Sequence, residues 1–214
     1  KHIIEIEYVD IQSEFNHDSV IPFSKLRDNE DTPPKFEQLP FDHPLYIMYS
    51  SGTTGPPKSI VHGAGGTLIQ HMKEHQLQCD VQAGKSKIFW FTTCGWMMWN
   101  WLVSGLSSGA TIVLYDGSPS YPNLEKLWKI IDDVGITHFG TSPKFLSACD
   151  SGKLLPNEFC TLDSLQAILS TGSPLVDEQF DWIYDNVKSN VQLSSISGGI
   201  DIIGCFLAGS PILP

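Results

Sequence analysis

The sequence predicts an α/β fold, a predominantly parallel sheet flanked by helices. Two observations carry that expectation. From Leu45 onward, short apolar segments of strand length alternate with longer segments whose apolar residues recur at helical spacing. Glycine-bearing turns follow three of the apolar segments, at 50–58, 171–174 and 195–201. A helix between successive strands makes a crossover, so the strands run parallel and the helices cover the faces of the sheet. In such sheets ligands gather at the loops beyond the strand C-termini, which is where these three turns are expected.

Taken in order, residues Ile3 to Val9 alternate apolar and charged side chains and read as a half-exposed strand. Residues 24–43 are polar, carry Pro33-Pro34, and read as a surface connector. Residues 1–43 are therefore expected to form an N-terminal strand and connector, and 44–214 the α/β unit. Strands are expected at 45–49, 88–91, 111–115, 137–140, 167–170 and 191–194. Helices are expected over about 67–77, 97–106, 124–134, 143–150 and 177–187. In the third helix Leu124, Leu127, Trp128 and Ile131 share one face, with Glu125, Lys129 and Asp132 largely off it. No internal repeat or low-complexity tract interrupts the pattern.

The chain has 214 residues, of which 41% are hydrophobic, enough for a sizeable core. Its formal charge of −11 makes it a poor match for nucleic acid or an anionic membrane surface. The five cysteines form no Cys-x-x-Cys pair, so neither a disulfide framework nor a metal knuckle is expected. Reduced thiols fit a cytosolic protein. Neither a signal peptide nor a membrane span is expected. Lys1 at one end and Pro-Ile-Leu-Pro214 at the other are expected to be cuts within a longer protein.

The stretch Tyr49-Ser-Ser-Gly-Thr-Thr-Gly-Pro-Pro-Lys58 is the most specific string in the chain. It is expected to join a strand to a helix, the arrangement by which a backbone wraps a polyphosphate. Gly52 and Gly55 remove side chains where the main chain would approach an anion. Ser50, Ser51, Thr53 and Thr54 offer hydroxyls, and Lys58 a positive charge. The spacing is not that of the Walker loop, because only two residues separate the glycines and Pro56-Pro57 precede Lys58. An ordinary polar turn would have a similar composition.

This string resembles the phosphate-binding signature of the acyl-adenylate-forming enzymes, the AMP-dependent synthetase family. Other segments resemble the same family. Phe91-Thr-Thr-Cys-Gly-Trp-Met-Met-Trp-Asn-Trp101 contains a Gly-Trp pair at an expected strand exit. The resemblance implies that Trp96, Met97 and Met98 line the acyl and thiol pocket. A buried helix start would account for the segment equally. Ser170-Thr-Gly-Ser-Pro-Leu175 resembles the adenine-contacting segment, with Gly172, Ser173 and Pro174 at the matching positions.

Ser194-Ser-Ile-Ser-Gly-Gly-Ile-Asp201 stands at the family's phosphate and metal motif, which implies nucleotide contacts for Ser195, Ile196, Ser197, Gly198, Gly199 and Ile200. Asp201 would hold Mg2+, for which one or two carboxylates suffice; a helix N-cap is the other reading of that residue. Ile200 departs from the family, because it replaces a threonine whose hydroxyl meets phosphate. Gly198 occupies the position where acetate-type members carry tryptophan, and hydrogen in place of an indole would open on the order of 150–200 Å³. With Leu114-Tyr-Asp-Gly-Ser-Pro119, these segments resemble the acetoacetate-activating branch of that family.

The resemblance implies a cytosolic ligase of ketone-body and lipid metabolism. Its substrates would be acetoacetate, ATP and CoA, its metal Mg2+, and its catalytic residues Lys58 and Asp201. The family's ribose-binding aspartate and mobile C-terminal domain are not found in these residues, so the fragment alone is expected to bind nucleotide weakly and not turn over. The alternatives are a non-catalytic interaction fragment and a synthetase for another short acid. The histidines carry little signal: His62, just past the lysine, could approach phosphate, His71 and His75 are one turn apart without a third metal ligand, and His138 is expected to be a satisfied core residue.

Overall fold

Residues 2–6, 19–26, 33–50 and 55–213 are described by the structure, a computed structural model. The chain divides into two units, 1–39 and 40–214. In the first, β1 (Ile3–Glu5) pairs in parallel with β2 (Val20–Pro22), Ile3 opposite Val20. The expected strand over 3–9 is thus seen for its first three residues, and 7–9 lie outside the described residues.

The second unit is built on a five-stranded parallel sheet in the order β6-β5-β7-β8-β9. Its strands are β5 (Lys87–Trp90), β6 (Thr111–Val113), β7 (His138–Thr141), β8 (Ala167–Ser170) and β9 (Gln192–Ser195). All five match sequence expectations to within two residues at each end. The central strands are buried on both faces; β5 and β8 read as near-continuous apolar runs, while β7 also buries the polar His138 and Thr141. Phe89, Phe139 and Ile168 point to one face, where they join Leu127, Trp128, Ile131, Leu146 and Ile183 in one core. Ile88, Trp90, Ala167 and Leu169 point to the other and join Trp101, Leu102 and Met98. The two-residue period of a strand therefore fills two cores from a single sheet.

The helices that supply those cores are α2 (Met97–Ser104), α3 (Glu125–Val134), α4 (Pro143–Ser151) and α5 (Asp177–Asn186). Helix α3 buries Leu127, Trp128 and Ile131, the stripe read from its periodicity, and stops at Gly135, whose φ of 72° suits glycine. Helix α4 starts at Ser142, whose side chain accepts from the Phe145 N–H, with Pro143 in the first turn. His138 is the satisfied core residue expected: its ring meets the Thr137 hydroxyl at 2.7 Å and donates to the Cys79 carbonyl at 2.7 Å.

Outside the parallel sheet, two expectations are corrected. The strand around 45–49 is not part of that sheet. It is β3 (Pro44–Ser50), paired antiparallel with β4 (Lys58–Gly63) in a separate two-stranded sheet. Helix α1 (Ala64–Lys73), extended by a π-helical turn over Glu74–Gln78, follows β4 directly. The loop 50–58 therefore joins two strands and does not lead into a helix N-terminus. Strand β4 escaped the sequence reading because Lys-Ser-Ile-Val-His-Gly carries only Ile60 and Val61 as strong strand formers. The last elements, β10 (Ser197–Gly199) and β11 (Gly204–Leu207), form an antiparallel hairpin that was also unforeseen. Among the described residues, no helix is long and apolar enough to cross a membrane.

Candidate active site

Strands β8 and β9 are neighbours in register, with Ser170 opposite Ser195, so the segments that leave their C-terminal ends start side by side. They are stitched together at once. The Ile196 N–H donates to the Ser170 carbonyl at 2.7 Å, the Thr171 hydroxyl donates to the Ile196 carbonyl at 3.0 Å, and the Leu175 N–H donates to the Ser195 hydroxyl at 3.2 Å. Gly172 turns with φ of 104°, a conformation open to glycine and strained for any L side chain. The start of α2 faces the same place. The result is a cavity of about 590 Å³ lined by Trp96–Met98, Thr171–Pro174, Ser195–Ile200 and Leu207.

The structure thus gathers Trp96, Met97, Met98, Gly172, Ser173, Pro174, Ser195, Ile196, Ser197, Gly198, Gly199 and Ile200 around one space. Met98 belongs at the same time to the core behind the wall, while Trp96 is 65% exposed. A second cavity of about 410 Å³ shares Trp96, Met98, Thr171 and Gly172 with the first. The core-helix and acyl-pocket readings of 96–98 are therefore compatible: one segment has both faces.

Gly198 lines the cavity for a reason the sequence did not indicate. A Cβ built there collides with the Gly204 carbonyl and lies 3.1 Å from the Cys205 Cα, so the close approach of β10 to β11 demands a glycine. A tryptophan at this position would be driven into the β11 backbone. The expected gain of volume from a missing indole is therefore not what this geometry expresses.

Lys58 and Asp201 do not line the 590 Å³ cavity. Ser50 pairs with Lys58 at the end of the β3–β4 sheet, and Gly55 has φ of 133°. Ser51, Gly52, Thr53 and Thr54 lie outside the described residues. Because no helix follows the loop, no helix dipole serves an anion there, and Lys58 is the charge available. Strand β4 nevertheless reaches the other segment. The His62 Nε2–H donates to the Ile200 carbonyl at 2.8 Å. Lys58 and His62 lie on the same face of β4, about 13 Å apart along a strand that rises about 3.3 Å per residue. The ring of His62, which the sequence left free to approach phosphate, holds main chain here.

Asp201 is exposed in the turn between β10 and β11. No helix follows it, so the N-cap reading falls. Its carboxylate has no hydrogen-bond partner among the described residues. Those residues contain no group of three or more His, Cys, Asp or Glu that would enclose a metal alone. One free carboxylate suits Mg2+, which keeps most of its coordination sites for phosphate oxygens and water.

The sequence reading missed Glu74. This carboxylate is buried, yet it accepts from the Gln70 amide at 2.6 Å, the Cys205 N–H at 2.8 Å and the Trp101 indole at 2.9 Å. Nearby, His71 and His75 are fully buried. Burial lowers the pKa of both, that of His75 to about 3, despite the hydrogen bonds that oppose it. Both rings are used in structural bonds, His71 to the Ser104 hydroxyl at 2.8 Å and the Ile203 carbonyl at 2.6 Å, His75 to the Trp101 carbonyl at 3.1 Å.

A parallel sheet whose adjacent strand ends open onto one cavity places that cavity where ligands bind in open α/β sheets. The chain belongs to the AMP-binding enzyme family, whose match runs over residues 3–196. It is 54% identical over 179 residues to the acetoacetyl-coenzyme A synthetase of Rhizobium meliloti (strain 1021), covering 84% of this chain and 27% of that protein. The acetoacetyl-CoA synthetase of Gallus gallus is 54% identical over 180 residues, with the same coverage. The malonamoyl-CoA synthetase vrtB of Penicillium aethiopicum is 51% identical over 192 residues, covering 83% of this chain and 26% of that protein. A solved acetoacetyl-CoA synthetase from Streptomyces lividans superposes with a TM-score of 0.91 at 41% identity, over 100% of this chain and 33% of that one. The chain spans about a quarter to a third of the relatives it matches.

Proposed function

We propose that this chain is the part of an ATP-dependent acid–thiol ligase that binds nucleotide and acyl group, and that its acid carries a carbonyl at C3. The convergence of three separate segments on one 590 Å³ cavity carries this reading. The relatives' printed names support the acid class. An acetoacetyl and a malonamoyl group both carry a second carbonyl on C3, and proteins named for each are more than 50% identical to this chain.

The reaction has two displacements. A carboxylate oxygen of the acid attacks the α-phosphorus of ATP, and the bond to pyrophosphate breaks. The thiol sulfur of CoA then attacks the acyl carbonyl, AMP leaves, and the thiol proton is released. In the first step negative charge grows on the departing pyrophosphate. Lys58 sits at the start of β4 to neutralise it, a contribution that pre-placed charge makes without reorganisation. Gly172–Pro174 frame the adenine. Their turn has no side chain at 172, which leaves the backbone open to a flat ring. Ser195 and Ser197 offer hydroxyls on the phosphate side, where Ile200 offers none. Trp96, Met97 and Met98 form the apolar wall around the acyl chain and exclude water from the mixed anhydride. Asp201 would hold Mg2+, which when bound supplies charge neutralisation on the phosphate oxygens.

The test is acid-dependent release of pyrophosphate by the complete chain that carries these residues, across acetoacetate, malonamate, butyrate and acetate. The two acids with a C3 carbonyl are expected to react with higher kcat/KM than butyrate. Lys58→Ala is expected to lower kcat about 100-fold, the scale for loss of one transition-state charge contact. Release that is independent of the acid, or a preference for butyrate, overturns the reading.

A further inference from the structure

The turn that carries Asp201 is held from outside at both ends, and the groups that hold it all come from one stretch of chain. At its start, the His62 Nε2–H donates to the Ile200 carbonyl at 2.8 Å. At its end, the His71 Nε2 meets the Ile203 carbonyl at 2.6 Å; a carbonyl only accepts, so this nitrogen carries the proton. Two residues further, Glu74 accepts from the Cys205 N–H at 2.8 Å and faces the Cys205 thiol at 3.2 Å. Four consecutive residues, Ile200 to Ile203, thus lie between fixed points. They need such support, since Ile203 has φ of 47°, a left-handed conformation that a β-branched residue rarely adopts.

The holding groups are themselves fixed. The Glu74 carboxylate is buried and is also bonded by the Trp101 indole at 2.9 Å. His71 meets the Ser104 hydroxyl at 2.8 Å, and that hydroxyl donates to the Asn100 carbonyl at 2.8 Å. Trp101, Ser104 and Asn100 belong to α2, whose first residues Met97 and Met98 wall the cavity. Glu74 and His71 therefore tie the helix of the acyl wall to the turn of Asp201, and His62 holds the other end of that turn.

We propose that His62, His71 and Glu74 are positioning residues that set the Asp201 carboxylate for the metal–nucleotide complex and lock it to the acyl wall. This rests on the metal reading of Asp201 given above. None of the three touches substrate; each acts through the backbone of residues 200–205.

The test measures ATP affinity of the complete chain with and without Mg2+, together with amide exchange over 199–207, in Glu74→Gln, His62→Leu, His62→Gln and Asp201→Asn. Glu74→Gln turns an amide N–H toward a donor from which the carboxylate accepted. Leu at 62 removes the donor to Ile200, and Gln at 62 restores one. Glu74→Gln and His62→Leu are expected to lose about tenfold of the Mg2+-dependent tightening, the lower range for loss of an outer-shell partner, with Mg2+-free affinity unchanged. His62→Gln keeps the tightening, and Glu74→Gln adds nothing in an Asp201→Asn background. Should Glu74→Gln not fold, the Leu and Gln pair at 62 decides the matter. Equal losses with and without Mg2+ would reduce these residues to scaffold and overturn the proposal, as would full retention of the tightening in a protein where Asp201→Asn abolishes it. If Asp201→Asn changes nothing, the metal reading itself has failed. The clamp then stands or falls on exchange: faster at Cys205 in Glu74→Gln supports it, unchanged exchange overturns it.

Discussion

Replacing Gly198 with alanine adds a single methyl group at the closest approach of β10 to β11. The Cβ collides with the Gly204 carbonyl oxygen and lies 3.1 Å from both the Gly204 carbonyl carbon and the Cys205 Cα, where ordinary contact begins at 3.4 Å. All three are backbone atoms, so no rotamer change relieves the clash. The hairpin must open, and only three register pairs, Ser197–Leu207, Gly198–Cys205 and Gly199–Gly204, hold it shut. Overpacking of this kind costs about 1–3 kcal/mol. At this chain length each kilocalorie lowers Tm by about 2–4 °C. Gly66→Ala is the matched control. Gly66 lies within α1, and nothing stands within 4 Å of a Cβ there. That change should stabilise by about 0.4–1 kcal/mol through helix propensity and the unfolded chain. Thermal unfolding of both variants, with amide exchange over 197–207, gives the measurement. Gly198→Ala with unchanged Tm and unchanged exchange would refute the close approach, and with it the account of why this cavity wall is glycine.

Stability should fall on acidification below about pH 6.5, because burial first of all lowers the pKa of His71, His75 and His138. The unfolded chain then binds protons that the fold refuses, so the stabilisation present above the unfolded value of 6.5 is lost progressively toward the folded value of about 3 at His75. His75→Phe is expected to flatten the dependence of Tm on pH across that window. Alkylation should reach Cys94 first, since it is exposed, while Cys79 and Cys149 are buried and burial pushes their thiols up to about 12 and about 11. Mass spectrometry after brief iodoacetamide treatment checks the order, and early modification of Cys79 would contradict it.

The sequence by itself determined the parallel sheet, its helices and two of the three glycine turns it expected at one edge, 171–174 and 195–201; the third, 50–58, belongs to a separate sheet. These are local properties: a buried strand such as Ala167–Ser170 announces itself by an apolar run, α3 by the spacing of Leu127, Trp128 and Ile131, and a glycine turn by its composition. The tertiary structure alone decided that the stretch after Tyr49 joins two antiparallel strands, that glycine at 198 answers to Gly204, and that Glu74 is a hub. Those facts depend on partners far away in the chain. The Glu74–Cys205 bond spans 131 residues and the His62–Ile200 bond 138, and no periodicity within a window of a dozen residues registers such contacts. A carboxylate in a helix ordinarily faces water; only the fold around Glu74 supplies the donors that make its burial stable.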